Sequence, residues 1–563
     1  MKRLGGGLGA ALLWALPLAF LAAFYFYPMA GILQASFERS TSGWGGPFVE
    51  ALSSPGIRKV IWFTFWQAAL STLFTLLLGL PGAYLLGRFE FRGKGLVRAL
   101  TAVSFVLPTL VAAAAFSALL GPRGWVNLLL MRVTGAATPP VPFMNTVWAI
   151  LLAHVFYNTT IVLRMVGDFW SHLDPRLEQA ARVLGAGRWQ ALRQVTLPLL
   201  APVIATAALL VFIFDFTSFG VVLVLGGPRF ATLEVEIYNQ TINLFNLPLA
   251  GALALIQLGC TLVLMVVYLR LAERAARPLS LRPQQYTQRR LDSWPKRLLA
   301  GAYLTVLMGL LTLPLLALVA RSLAAPVGPD GGLTWTLAYY QALGSTDAGS
   351  VFYAPPRTAL AVSLGYALLT VLLALGLGLP AALAASRGGR FGRAVDPLLM
   401  LPLGTSAVTL GLGFVVALDQ PPLDLRSSVL LIPIAHTLVA FPFVLRSLAP
   451  ALQSIRPRLR QAGAVLGASP WQVFWQVDFP MISRAALVAA TFAFAISLGE
   501  FGATALVARP EYPTAPVLIQ RFLSRPGALN YGQALALSVI LSAITAVSIL
   551  AIERLRIADL GEF

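Results

Sequence analysis

Residues Pro175-Arg-Leu-Glu-Gln-Ala-Ala-Arg-Val-Leu-Gly185 return as Pro457-Arg-Leu-Arg-Gln-Ala-Gly-Ala-Val-Leu-Gly467, at an offset of 282 positions. The same offset carries Trp189, Gln190, Gln194, Val195 and Pro198 onto Trp471, Gln472, Gln476, Val477 and Pro480. It reaches back to His154/His436 and Arg164/Arg446, and forward to Phe219-Gly220/Phe501-Gly502. Chance does not hold one register across so long a stretch, and low complexity does not supply Trp, His and Pro among the matches. Earlier in each copy the register slips: Leu78-Gly-Leu-Pro81 matches Leu377-Gly-Leu-Pro380 at an offset of 299. The chain is therefore a duplication whose copies differ in loop length.

Around this repeat lies sequence that water cannot solvate in a folded state. Of 563 residues, 58% are hydrophobic and 11% charged, and the mean hydropathy is +0.78; soluble domains carry about 25% charged residues. Twelve apolar runs near the ~20-residue spanning length fall at about 9–34, 59–87, 97–120, 145–167, 199–225, 247–270, 298–321, 357–385, 395–418, 427–449, 481–507 and 532–553. The first is too long for the 7–15-residue core of a signal peptide and reads as an uncleaved helix. The expected fold is an all-α integral membrane protein, with twelve transmembrane helices as two parallel six-helix repeats. The first repeat covers 1–270 and the second 298–563, joined by a basic linker, 271–297, that contains Pro278, Pro283 and Pro295. Because each repeat has an even number of spans, the copies share one orientation and are related by an axis along the membrane normal.

The formal net charge of +19 and pI of about 10.7 do not imply nucleic-acid binding, because the basic residues punctuate the apolar runs. Segments 88–98, 270–297 and 386–393 hold 15 of the 41 Lys and Arg residues and fall on one side of the membrane. The positive-inside rule makes that side, and both termini, cytoplasmic, as expected for a multi-pass protein of a bacterial-type inner membrane. Cys260 is the single cysteine, so neither an internal disulfide nor a cysteine metal site can form.

The two best-matched stretches are cytoplasmic loops. Leu177, Ala180, Ala181 and Leu184 recur at helical spacing and give one apolar face. Gly185 and Gly467 can take positive φ and turn the chain. A second short helix is expected from near Trp189 or Trp471, with Pro198 and Pro480 near the start of the next span. Each copy thus predicts a helix–turn–helix elbow, at 175–198 and 457–480. In the elbows Gln179-Ala180-Ala181 leads at fixed spacing to Gly185, Val195 and Leu197-Pro198. In the same way Gln461-Ala462-Gly463 leads to Gly467, Val477 and Phe479-Pro480.

This spacing resembles the "EAA" loop of type I ABC importer permeases: Glu-Ala-Ala, three residues, Gly, nine residues, Ile, one residue, Leu-Pro. The sequence departs from it with Gln179 and Gln461 for Glu, Gly463 for the second Ala and Phe479 for Leu. The resemblance implies that residues 178–190 and 460–472 seat coupling helices in an ATPase subunit, with Ala186, Ala468, Trp189 and Trp471 among the contacts. It also implies two copies of that subunit and a solute-binding protein on the other side. ATP and magnesium belong to the partner, and this chain binds no cofactor. The fused arrangement looks like that of ferric-iron and thiamine permeases. Ser218-Phe-Gly-Val-Val222, Leu225-Gly-Gly-Pro228 with Glu234 to Tyr238, and Ile496-Ser-Leu-Gly-Glu-Phe-Gly502 look closer to the thiamine type.

Asp215 and Glu500 lie inside apolar runs, where a charge costs about 2.5–3.5 kcal/mol on the insertion scale and generally faces a cavity or a partner. In the repeat register Asp215 pairs with Ser497, and Ser218 with Glu500. The four residues are candidates for a pathway that attracts a cation. His154 and His436 occupy one repeat position. Two histidines without a third ligand make a poor metal site, and polar bridging between helices is the expected role. Segments 226–246 and 508–530 are the expected contacts of the solute-binding protein. The sequence has no Gly-x-x-x-x-Gly-Lys-Ser/Thr phosphate cradle, Gly93-Lys94 lacking both the earlier glycine and the hydroxyl. It has no His-Glu-x-x-His or Gly-x-Ser-x-Gly either. Energy must come from another subunit, or from an ion gradient if the chain is instead a secondary transporter.

Overall fold

The computed structural model describes residues 4–38, 45–275, 287–327, 332–344, 355–386, 390–419, 421 and 423–558. Among them are 11 helices long and apolar enough to cross a membrane, or 12 if the pair Val395–Gly404 and Ala407–Ala417, bent by 98°, is one span. Helix is the only economical answer for such sequence, because in hydrocarbon each backbone N–H and C=O must be paired within its own segment. The spans carry outward apolar side chains that remain exposed among the described residues, such as Trp62, Leu77, Leu316 and Leu372. These form the lipid-facing surface.

Helices approach closely where small residues permit. A Cβ on Gly79 would come within 2.7 Å of Val162, and one on Gly378 within 2.6 Å of Val444. The two contacts are the same contact in the two repeats, one member following each register of the duplication.

Two spans of each repeat are interrupted. The third breaks in the first repeat at Leu107, which is extended before Pro108 and separates Lys94–Val106 from Thr109–Leu120; proline disfavours the α region in the residue before it. Its counterpart breaks after Leu401–Gly404, and Ser406 caps the new helix by accepting from Thr409 N at 3.0 Å. The fifth span was expected to run unbroken over 199–225 and 481–507. Instead it ends at Phe216 and Gly499, and short helices Gly220–Leu225 and Gly502–Val507 follow after a turn.

The first helix of each repeat packs against the other repeat. Trp14, Leu21 and Tyr25 are buried among Ala374, Leu377, Ala381 and Phe441, and the Tyr25 and Thr405 hydroxyls are 2.7 Å apart. In the opposite sense Tyr303, on Trp294–Ser322, donates to Leu78 O at 2.9 Å and lies over Gly82. Of the basic linker, 276–286 lie outside the described residues. Its later part is docked: Arg289–Arg290 pairs in parallel with Phe89–Glu90, and the Thr287 hydroxyl donates to Ser171 O.

Candidate functional site

The elbows form as expected. Helix Pro175–Val183 starts at Asp174, whose side chain accepts from Arg176 N at 3.0 Å. It ends at Gly185 with φ +95°. Ala186 N–H donates to Ala181 O and Gly185 N–H to Arg182 O, the pair of hydrogen bonds that closes a helix on a left-handed glycine. The second elbow repeats this. Helix Pro457–Val465 ends at Gly467 with φ +85°, and Ala468 N–H and Gly467 N–H donate to Gly463 O and Ala464 O. Next come the short helices Arg188–Ala191 and Pro470–Val473. They run through π-turns Leu192–Thr196 and Phe474–Asp478 directly into the spans that begin at Leu197 and Phe479. The second half of each elbow is therefore the first turn of the fifth span, so that a push on it is a push on the span.

Neither elbow helix buries any residue. Gln179, Ala180, Ala181 and their counterparts Gln461, Ala462 and Gly463 lie on these helices, half-buried or exposed. The tips are the most exposed apolar groups on this face: Val183 and Leu184 are 87% and 88% exposed, and Val465 and Leu466 87% and 86%. Trp189 and Trp471 are exposed beside them. Each repeat thus presents the same exposed apolar patch at the tip of its elbow.

The second site lies between the repeats, at the breaks in the fifth spans. Asp215 is about 27 Å along the helix axis from Leu197, at ~1.5 Å per residue. Asn158 Nδ2 donates to Asp215 Oδ1 at 2.6 Å, and Gln67 Nε2 donates to Asp215 O at 2.8 Å. His154 Nδ1 is 3.3 Å from Asp215 Oδ1, and His154 Nε2 is 2.8 Å from Ser218 Oγ. In the second repeat His436 Nδ1 is 2.7 Å from Ser497 Oγ, and His436 Nε2 is 3.1 Å from Glu500 Oε2. Each histidine thus spans one acid and one serine, and the order of acid and serine is reversed between repeats. Both histidines bridge helices, as expected.

Glu500 is held further by the helix it precedes. Ala503 N–H donates to Oε1 at 2.9 Å, and Thr504 N–H and its hydroxyl donate to Oε2 at 3.2 and 2.6 Å. Each carboxylate oxygen thus has at least one hydrogen-bond donor. Asp215, Ser218 and Glu500 line one cavity of about 380 Å³, together with Pro108, Thr109, Tyr157 and Phe443. Ser497 is buried behind it, against His436 and Thr370. On the seam between repeats the rings of Phe219 and Phe501, a repeat pair, stack with centroids 5.3 Å apart and planes at 16°.

Glu234, also in the cavity wall, was not among the sequence candidates for the pathway. It sits on helix Leu233–Tyr238, is fully buried, and accepts from Gln257 Nε2. A carboxylate and an amide on neighbouring apolar stretches were the available signal. Segments 226–246 and 508–530 fold partly inward: Leu233, Val235 and Ile237 are buried, as are Val517 to Ile519. Leu244 and Phe245 remain exposed.

Residues 79–277 and 374–556 each match the family described as the binding-protein-dependent transport system inner membrane component. Among curated proteins, the chain is 28% identical to the thiamine transport system permease protein ThiP of Brucella abortus (strain 2308), over 92% of this chain and 93% of that protein. It is 28% identical to the protein of the same name in Escherichia coli (strain K12), over 84% and 85%. Among solved structures, one from a bacterial ABC transporter involved in the import of the acidic polysaccharide alginate aligns with TM-score 0.38 and 20% identity, covering 47% of this chain and 94% of that one. With both repeats matched, and most of the chain in them, this duplicated multi-pass protein belongs to the binding-protein-dependent transport system inner membrane component family.

Proposed function

We propose that this chain is the transmembrane permease subunit of an ATP-driven importer for a small organic cation of the thiamine type. The observation that carries the coupling is the pair of elbows, alike in turn geometry and in exposed tips, each continuous with a pathway helix. Two copies of an ATPase subunit dock there, and ATP and magnesium are bound by those subunits. A binding protein delivers the solute to the opposite face, where Leu244 and Phe245 are exposed. Both termini lie in the cytoplasm of a bacterial cell.

The mechanism is alternating access. Closure of the ATPase dimer moves the two elbows together. Because each elbow is the root of a fifth span, the movement reaches the breaks at 217–219 and 500–501, where the cavity and the Phe219–Phe501 stack lie. Rocking of the halves separates the stack and opens the cavity to the delivered solute, and hydrolysis resets it. The relatives' names support thiamine as the solute, and so does the acid-lined, aromatic-walled cavity.

The experiment is uptake of labelled thiamine and of ferric iron by cells with and without the gene, before and after ATP depletion. Thiamine uptake that needs both gene and ATP is expected. Iron uptake would move the assignment to the ferric-iron permeases, and uptake that follows the proton or sodium gradient would overturn ATP coupling.

A further inference from the structure

The third and fourth spans are tied together in the first repeat by two bonds that the second repeat has lost. In the first, Arg98 Nη2 lies 3.9 Å from Asp168 Oδ1, and the Thr160 hydroxyl donates to Thr101 O at 2.8 Å. At the offset of 282 positions Thr160 and Asp168 become Pro442 and Pro450, whose rings can form neither bond. In the second repeat a cavity of about 650 Å³ lies beside these helices. Its walls come from Arg390–Met400 and Leu431–Ser454 of the second repeat and from Leu247–Ala275 of the first.

The cavity is apolar toward the membrane interior and charged toward the end that carries the elbows. Leu262, Met265, Val266 and Leu269 follow one face of Leu247–Ala275 and lead to Glu273. From Leu262 to Glu273 the helix rises about 16 Å at ~1.5 Å per residue, and half of the hydrocarbon core is roughly 15 Å thick. The groove therefore has the depth of one leaflet. The second wall carries Asp396 on the elbow side of Leu401 and Gly404, and the third carries Arg446 and Gln453 on the elbow side of Leu445. Glu273, Asp396 and Arg446 are exposed, and none of them has an ion pair among the described residues.

We infer that this groove binds a phospholipid of the elbow-side leaflet whose headgroup is a zwitterionic primary amine, the phosphatidylethanolamine class. Arg446 takes the phosphate, for which a guanidinium is well shaped. Glu273 and Asp396 take the ammonium, and an acyl chain runs along Leu269, Val266 and Leu262. A primary ammonium offers three N–H donors to the two carboxylates, whereas a trimethylated choline offers none. An anionic glycerol headgroup would bring its phosphate to two acids and one arginine. The lipid fills in the second repeat the place that the Arg98–Asp168 tie closes in the first, at the foot of the helix leading into the second elbow. The site is separate from the central cavity and does not depend on which solute is carried.

The test is native mass spectrometry of the purified full chain in detergent, titrated with phosphatidylethanolamine, phosphatidylglycerol and phosphatidylcholine of one acyl composition. The wild type should hold phosphatidylethanolamine at least about tenfold more tightly than either of the others, the scale of one charged hydrogen bond. Arg446→Gln and the double variant Glu273→Gln/Asp396→Asn should each lose that preference with an unchanged Tm, and Arg446→Lys should keep part of it. Equal binding of the three lipids by the wild type, or a preference for either of the other two, would overturn the site whatever the variants do. So would a preference that both neutral variants retain. Glycerophosphoethanolamine, the headgroup without its chains, should not displace the lipid; displacement at equal concentration would make the groove a site for a soluble ligand and overturn the lipid assignment.

Discussion

His436 Nε2 lies 3.1 Å from Glu500 Oε2, whereas His154, at the same repeat position, meets its acid, Asp215, through the other ring nitrogen at 3.3 Å. The duplication kept the histidine and exchanged acid for serine one helical turn away. Glu500 thereby came to stand before helix Gly502–Val507 and to satisfy its first N–H groups, a service Ser218 does not give to Gly220–Leu225.

Glu500→Ala should therefore act on stability. Leaving the N–H groups of Ala503 and Thr504 without their acceptor costs about 1–3 kcal/mol. Thermal unfolding of the purified chain in detergent should show a lowered Tm, and an unchanged midpoint would mean that the carboxylate does not hold the turn.

The elbow glycines test coupling. Gly185 and Gly467 have φ of +95° and +85° with nothing within 4 Å of an added Cβ, so the obstacle is backbone conformation alone. A left-handed non-glycine residue costs roughly 1–2 kcal/mol. The double variant Gly185→Val/Gly467→Val should reach the membrane in wild-type amount and lose ATP-dependent uptake. Full uptake by it would remove the coupling role from these turns.

Leu184 and Leu466 are almost wholly exposed, and changing them to Asp should alter the isolated chain's stability by no more than the roughly ±0.5 kcal/mol typical of surface substitutions. Co-purification of the ATPase subunit should fall sharply in the double variant. Retention of the ATPase would place its docking surface elsewhere.

The Phe219–Phe501 stack crosses the seam between the repeats. A double-mutant cycle to Leu, read by thermal unfolding, should give a coupling of about 0.5–1.5 kcal/mol beyond the area each ring buries. A coupling of zero would show that the rings merely adjoin.

Gly82 lies under Tyr303, where an added Cβ would meet the phenolic oxygen at 2.1 Å and Leu163 Cδ2 at 2.4 Å. Gly82→Ala should destabilise the chain by about 1–3 kcal/mol, the usual cost of overpacking, and pairing it with Tyr303→Phe should recover part of the loss. No effect of Gly82→Ala on Tm would mean that the helix Trp294–Ser322 stands off from the first repeat.

The duplication, the elbows with their glycine turns, and the spans were legible because each is written in local sequence: a register, a glycine at a fixed offset, an apolar run. Hydropathy could not show the breaks at Thr217–Phe219 and Glu500–Phe501, since the residues on both sides are as apolar as those of a continuous span. Nor could it show Glu234 in the cavity wall, because that placement depends on how helix Leu233–Tyr238 folds back. The exchanged first helices were also hidden, for nothing in the residues around Trp14 or Tyr303 names the partner across the repeat boundary.

That exchange makes the molecule a clasp. A protease cut between Ala275 and Thr287 would divide the chain but not the protein, since each fragment would still have its leading helix gripped by the other. The nicked halves should travel together until detergent unfolds them. What the peptide linker contributes is then the certainty that each helix meets the right partner during assembly, while the grip itself is built into the bundle.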